Sequence, residues 1–312
     1  MTGPRDQSPP PRHPVALVIG ESLVDIVTDP TGRQETHPGG SPMNVAVGLA
    51  RLEVDTTLAT HIADDGPGEL VRAHVERSGV SLSLLGPETA STSTAHAVLD
   101  DDGAAEYSFD VTWAPESLDL GRPDLIHTGS LATSLDPGAD VVEETLRGTP
   151  EGTVVSFDPN VRPSLAPARG VLRERVERIA SLAHVVKMSD EDAAWLHPEL
   201  SVEDLVAHYA GLSGGVFVLT RGAAGCTIGT RRWQETLPAP AVDVVDTIGA
   251  GDAFMSGLLY ALLEADLTGP LTRGEPDQQG LRACARTALR SAGVAVSRAG
   301  ANPPGPRELL LT

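Results

Sequence analysis

Residues 246–252 read Asp-Thr-Ile-Gly-Ala-Gly-Asp and run directly into an apolar helical stretch. Two glycines and an alanine let the backbone approach a ligand closely, because no large side chain stands in the way. A helix starting there points its first free N–H groups at the same spot, which makes an anion site. Asp252 falls in the first turn, where the helix dipole favours its ionised form, so it is placed to accept a proton from an attacking hydroxyl. An anion hole beside a carboxylate base suits phosphoryl transfer from a nucleotide to an alcohol. The same string also reads as an ordinary strand-to-helix turn with Asp252 as a dipole partner, and taken alone it does not choose.

A second glycine signal, Gly39-Gly40-Ser41-Pro42-Met43-Asn44, also leads into a helix. The side-chain amide of Asn44 can hold a hydroxyl by donating and accepting at once. The plainer reading is a helix entry with Pro42 in the first turn. Further polar residues stand just past the apolar runs that read as strands. These are Asp25, then Asp158-Pro159-Asn160 with Arg162, then Lys187 with Ser189–Asp192, then Thr220-Arg221-Gly222. In an open parallel sheet, ligands gather at the carboxyl ends of strands. Each group also has a local explanation: Asp-Pro-Asn is a common turn, and Ser189 with Asp192 resembles a helix capping box.

The elements that must position these residues alternate. Val15–Ile19 is a short apolar run ending at Gly20, and Leu125–Ile126, Val154–Phe157, Val185–Val186 and Val216–Leu219 are further β-rich runs. Helical spacing covers Met43–Leu52, Glu69–Arg77, 139–147, 169–182, 190–197, 202–212, 251–265 and 279–296. That alternation predicts a mostly parallel sheet covered by helices on both faces. Two pieces differ. Leu23–Val27 is extended and followed by the turn Asp29-Pro30-Thr31-Gly32, and 94–111 alternates on either side of Asp101-Asp102-Gly103. These hairpin-like pieces are expected to form a small sheet standing off the main body. No internal repeat or linker between folded domains is evident.

The chain has 312 residues and a formal net charge of −20, which argues against nucleic acid or an anionic membrane as a partner. A nucleotide is still compatible, since backbone amides can hold its phosphates locally. Cys226 and Cys284 are the only cysteines, as expected for a reducing compartment, and the histidine and cysteine spacing gives no zinc pattern. Nothing approaches the roughly 18 apolar residues of a membrane helix. Residues 1–14 are Pro-rich and polar, without the apolar core of a signal peptide, and are expected to be a disordered tail on a cytoplasmic protein. The 23 basic residues are arginines apart from Lys187. The GxxxxGK[ST] loop, the GxGxxG fingerprint after the first strand and the GxSxG elbow are all absent.

Taken together, the strings at 39–44 and 246–252 and the polar residues at the strand ends resemble the ribokinase family, also called the PfkB carbohydrate kinases. The resemblance runs from about residue 15 to 312. It implies a ribokinase-like three-layer α/β/α domain with a mostly parallel central sheet and a small β-sheet lid, drawn from about 23–38 and 94–113. It implies ATP-dependent transfer of the γ-phosphoryl group to a primary hydroxyl of a small sugar. In that reading Asp252 is the base, and Gly249, Ala250 and Gly251 supply amides to the charge on the transferred group. Asp25, Gly39, Gly40, Asn44, Asn160 and Arg162 hold the sugar, with Tyr107 and Phe109 reaching it from the lid. Lys187, Ser189, Thr220, Gly222 and Gly225 line the nucleotide side.

Many family members carry Asn-x-x-Glu where this chain has Ser189-Asp190-Glu191-Asp192. Asp192 would therefore serve Mg2+ only through water. Carbonyls around Asp246 and Ile248 would take a monovalent cation such as K+, and the lid is expected to pair two copies in a homodimer. The finer similarity is to bacterial fructokinases. A 2-keto-3-deoxygluconate kinase, a ribokinase or nucleoside kinase, and a silent sugar-binding regulator on the same fold are the alternatives.

Overall fold

The computed structural model describes residues 14–86, 90–99 and 105–310. Residues 1–13 of the Pro-rich tail, the Asp101-Asp102-Gly103 turn and the Tyr107 side chain lie outside them. Among the described residues a nine-stranded sheet forms the body. Its spatial order is β13 (Trp233–Leu237), β12 (Cys226–Thr230), β11 (Val216–Thr220), β10 (Val185–Ser189), β9 (Val154–Asp158), β8 (Leu125–Gly129), β1 (Val15–Ile19), β4 (Asp55–Thr60) and β5 (Ser81–Leu84). From β11 to β5 every neighbouring pair is parallel, and at the other edge β12 alone is reversed, pairing antiparallel with both β11 and β13.

The short apolar runs are strands because both of their faces are buried. On β1, Ala16 and Val18 join one core cluster with Met43, Leu258 and Cys284, whereas Leu17 and Ile19 join the other with Val142, Val176 and Leu205. The first cluster is roofed by α1 (Ser41–Arg51), α2 (Gly66–Arg77), α7 (Ala250–Glu264), α8 (Thr268–Thr272) and α9 (Gln278–Val296). The second is covered by α3 (Gly138–Arg147), α4 (Arg169–Ala180), α5 (Asp190–Leu196) and α6 (Val202–Ser213). This is the three-layer arrangement expected from the sequence. No helix among the described residues is long and apolar enough to cross a membrane.

A separate four-stranded sheet has the order β3 (Gln34–Gly39), β2 (Leu23–Thr28), β6 (Ser93–Leu99) and β7 (Ala105–Asp110). Each expected hairpin closes antiparallel, and β2 joins β6 in parallel. Leu23 and Ala95 of this lid pack with Leu131 of the body, and Phe109 and Val111 lie against them. Strand β2 leaves β1 after only three residues, so the lid is tied directly to the carboxyl end of the body sheet.

Four strands were not expected. Thr-rich β4 and the Ser-Leu repeat of β5 are too polar to read as buried strands, and β5 lies at an edge where polar residues are tolerated. The β12–β13 pair has a two-residue connection, Arg231-Arg232, which lacks the Gly or Asn that flags such turns.

Candidate active site

Helices α1 and α7 both begin at the same place, and their first turns meet. Ser41 Oγ donates to Asp252 Oδ1 at 2.7 Å, and Asn44 Nδ2 donates to Asp252 Oδ2 at 2.8 Å. The two glycine-rich strings of the sequence therefore form one constellation, across 211 residues of chain. Asp252 is 8% exposed, and each of its carboxylate oxygens accepts from a fixed donor.

Backbone geometry makes the approach possible. Gly249 has φ 72° and caps α7, and a Cβ there would stand 2.7 Å from Ala301 Cβ. Gly40 has φ 114° ahead of α1, and a Cβ would stand 2.6 Å from the Glu21 carbonyl oxygen. The first i to i−4 bond of α7 runs from Ala253 N–H to Gly249 O. The N–H groups of Gly251 and Asp252 come before that ladder starts, while the Ala250 N–H turns back to Thr247 O at 3.2 Å.

Lys187 lies under this turn. A Cβ on Gly251 would be 3.1 Å from Lys187 Nζ, and Nζ donates to Asp158 Oδ2 at 2.7 Å. The pair is almost fully buried, with side chains 5% and 1% exposed. Burial acts to lower the lysine pKa, but Asp158, Asp192 and Asp252 together hold it above its ordinary value. Burial pushes Asp158 up to about 6 despite the ammonium, with Asp192 and Asp252 adding to the rise. Asp158 Oδ1 is buried and has no protein partner. One buried cation thus faces three carboxylates.

Asp192 is bound by its own chain. Its Oδ2 accepts from the Ser189 N–H and Oγ at 3.2 and 2.7 Å, and its Oδ1 accepts from the Val161 N–H at 2.8 Å. The capping box read from the sequence is present, and it also ties α5 to the loop after β9. Thr220 ends β11 beside Ser189 and donates to Met188 O at 3.4 Å. Gly222 is exposed and Gly225 buried in the following turn, with φ of 47° and 88°. Asp246 Oδ1 accepts from the Ile248 N–H and Oδ2 from the Gly300 N–H, which fastens the turn before α7 to the segment that follows α9.

The opposite wall comes from the lid and the loop after β9. Asp25 on β2 pairs with His37 of β3, and Gly39 is beside it, since a side chain there would collide with Asp25 Oδ2. Asp25 is exposed to water, yet surrounding protein raises its pKa, opposed by His37 and Arg162. Asp25 thus stands where solvent and the charges of His37 and Arg162 all reach it. Arg162 donates to Asn160 Oδ1 at 2.7 Å, and Asn160 itself holds φ 38°. Phe109 packs against the apolar cluster that joins the lid to Leu131 of the body.

Three residues of the site carry no assignment from the sequence: Ser41, Asp158 and Glu21. Ser41 could have been found as the first helical residue after Gly-Gly. Glu21 is 3% exposed, accepts from the Ala132 N–H at 3.0 Å, and is pushed by burial from 4.5 up to about 7, with Ser130 and Arg162 opposing. A carboxyl raised on folding contributes stability that is complete below pH 4.5 and is lost as pH rises through 7. At about 1.4 kcal/mol per tenfold change, the loss is on the order of 3 kcal/mol. Glu21→Gln is expected to flatten that part of the stability curve, measured by denaturant unfolding from pH 4.5 to 8. An unchanged slope would remove Glu21 as its source.

A family model described as pfkB family carbohydrate kinase matches residues 16–308. A fructokinase of Klebsiella pneumoniae is 32% identical over 290 residues, covering 89% of this chain and 94% of that protein. A doubly substituted fructokinase of Vibrio cholerae O395, solved with fructose, ADP and potassium ion bound, superposes with a TM-score of 0.80 at 26% identity. The match covers 96% of this chain and 97% of that one. A fructokinase of Xylella fastidiosa with bound ATP gives a TM-score of 0.80 at 26% identity, covering 95% and 97%.

Proposed function

The chain belongs to the pfkB family of carbohydrate kinases, and from that we propose that it transfers the γ-phosphoryl group of ATP to the primary hydroxyl of fructose, giving fructose 6-phosphate. The observation that carries this reading is Asp252, held by Ser41 and Asn44 at the open N-terminus of α7. The fructokinases it resembles were solved with fructose and ADP or with ATP, which supports the choice of substrates.

Fructose enters between the lid and the body. Asp25 accepts from its hydroxyls, Asn44 Oδ1 remains able to accept while Nδ2 holds Asp252, and Arg162 donates from the far side. The reacting hydroxyl displaces part of the Ser41–Asn44 grip on Asp252 and gives that carboxylate its proton. The sugar oxygen then bonds to the γ-phosphorus as the bond to the leaving ADP oxygen breaks. Charge on the transferred group meets the N–H groups of Gly249, Gly251 and Asp252 and the Lys187 ammonium, donors already fixed before reaction. Closure of the lid excludes water, which would otherwise take the phosphoryl group.

On the nucleotide side, Ser189, Thr220, Gly222 and Gly225 border the phosphates. The exposed apolar side chains Val244, Val245 and Ile248 suit a purine face. The unpartnered Asp158 Oδ1 fits Mg2+, a hard cation that takes carboxylate oxygens, with Asp192 acting on the ion's waters. When bound, the ion would neutralise phosphate charge. Carbonyls of the 246–248 turn suit K+, because Asp246 braces that turn against Gly300.

Coupled ADP release tests the substrate over fructose, ribose, 2-keto-3-deoxygluconate and a nucleoside. Fructose is expected to give the highest kcat/KM. Turnover of the keto-deoxy acid without turnover of fructose would transfer the proposal to that substrate.

A further inference from the structure

Away from the cleft, three metal-ligating side chains from three segments converge. Glu177 lies on α4, His197 follows directly after α5, and His208 lies on α6. His208 Nε2 is 3.0 Å from Glu177 Oε1, and His197 Nε2 is 3.9 Å from the same oxygen. All three ligand atoms fall within 4.8 Å of one another. Around a tetrahedral zinc with bonds near 2.0–2.1 Å, ligand atoms stand roughly 3.3–3.4 Å apart. The observed 3.0 and 3.9 Å bracket that separation. We propose that Glu177, His197 and His208 bind Zn2+ at a site independent of the kinase reaction.

The surroundings support a ligand role. His197 is 4% exposed, and its far nitrogen, Nδ1, faces Glu199 Oε1 at 3.9 Å. A carboxylate behind the second ring nitrogen is the usual outer partner of a metal-bound histidine, since it directs the other nitrogen's lone pair to the ion. Arg173 Nη1 holds that Glu199 oxygen at 3.4 Å. His197 Nε2 lies 2.7 Å from the Tyr209 hydroxyl, and Tyr209 is itself fixed by stacking on Phe217. The hydroxyl keeps His197 oriented in the metal-free protein and releases Nε2 when the ion arrives.

Glu177 and His208 are only partly buried, with side chains 31% and 36% exposed. They form an open rim through which an ion can enter and a water can complete the coordination. Two histidines, one carboxylate and an open fourth position make a ligand set that zinc accepts. Bound there, zinc would clamp α4, the end of α5 and α6 together on one face of the sheet. The competing explanation is a plain His208–Glu177 hydrogen bond closing α4 against α6, which takes up no metal.

Chelator-treated full-length protein titrated with Zn2+ separates the two, with Co2+ as a spectroscopic probe. The expected result is saturable uptake of one equivalent, tetrahedral Co2+ absorption bands, and a Tm rise of roughly 2–5 °C at saturating metal. His208→Ala and Glu177→Gln should each weaken uptake at this site by about tenfold or more. Glu199→Gln, which keeps all three ligands, should weaken it by roughly tenfold. All three variants should retain the wild-type kinase rate with Mg2+ and ATP. Absence of saturable Zn2+ uptake by the wild-type protein would overturn the proposal. So would uptake that His208→Ala and Glu177→Gln leave unchanged, because the ion would then be elsewhere.

Discussion

Asp252→Asn is expected to lower kcat by roughly 10²–10⁴-fold, the usual contribution of a positioned proton acceptor, while fructose affinity changes by only a few-fold. The reason lies in what the substitution keeps. Asparagine has the same shape, stays buried at the start of α7, and can still accept one hydrogen bond from Ser41 or Asn44. Its amide cannot take a proton from the sugar hydroxyl. Loss confined to the chemical step lowers kcat and kcat/KM together and leaves KM nearly unchanged. Steady-state ADP release gives the rate, and calorimetric titration with fructose gives the affinity. An Asp252→Asn enzyme with wild-type kcat would remove Asp252 from the base role.

Lys187→Met should produce the largest loss of stability. It removes the cation from a pair in which both side chains are at most 5% exposed, so Asp158 is left buried without a counter-charge. Breaking one side of such a pair costs about 3–5 kcal/mol, or on the order of 10 °C in Tm for a chain of this size. Protonation can relieve the stranded carboxyl, whose pKa climbs further above 6 once the ammonium is gone, so the deficit should be largest at high pH and shrink as pH falls toward 6. Adding Asp158→Asn to Lys187→Met should recover much of the stability, because no uncompensated charge is left. It should not recover kcat, since the ammonium beneath Gly251 is still missing. Thermal unfolding and kcat measured on both variants separate the two roles. A single variant as stable as the wild type would show that the pair does not hold this part of the fold.

The sequence made the body of the fold legible through its shortest elements. Val15–Ile19 is apolar on every residue and Val154–Phe157 on all but Ser156, a pattern suited to strands covered on both faces. β4 and β5 escaped notice because Thr and Ser fill half of their positions, and their parallel neighbours, not their own composition, make them strands. The glycine strings could be read, through the family resemblance, as two halves of one site. The bond from Ser41 to Asp252 could not, since it depends on how α1 and α7 pack.

Lys187 and Asp158 are an intermediate case. Each stands at a strand end in the sequence, but only the register placing Val186 beside Phe157 brings the next residues of β10 and β9 together. The zinc candidate marks the limit of spacing arguments. His197 and His208 match no sequence pattern for zinc, and Glu177 comes from another helix. Packing of α4 and α6 assembles what the linear order conceals.

The position of the phosphate on the product tests the central claim most directly. Fructose and ATP are incubated with the protein, and the product is read by phosphorus and carbon nuclear magnetic resonance. The expected product is fructose 6-phosphate, formed in equal amount with ADP and lost in Asp252→Asn. Phosphate on a different hydroxyl, or ADP released without any sugar phosphate, would contradict the account.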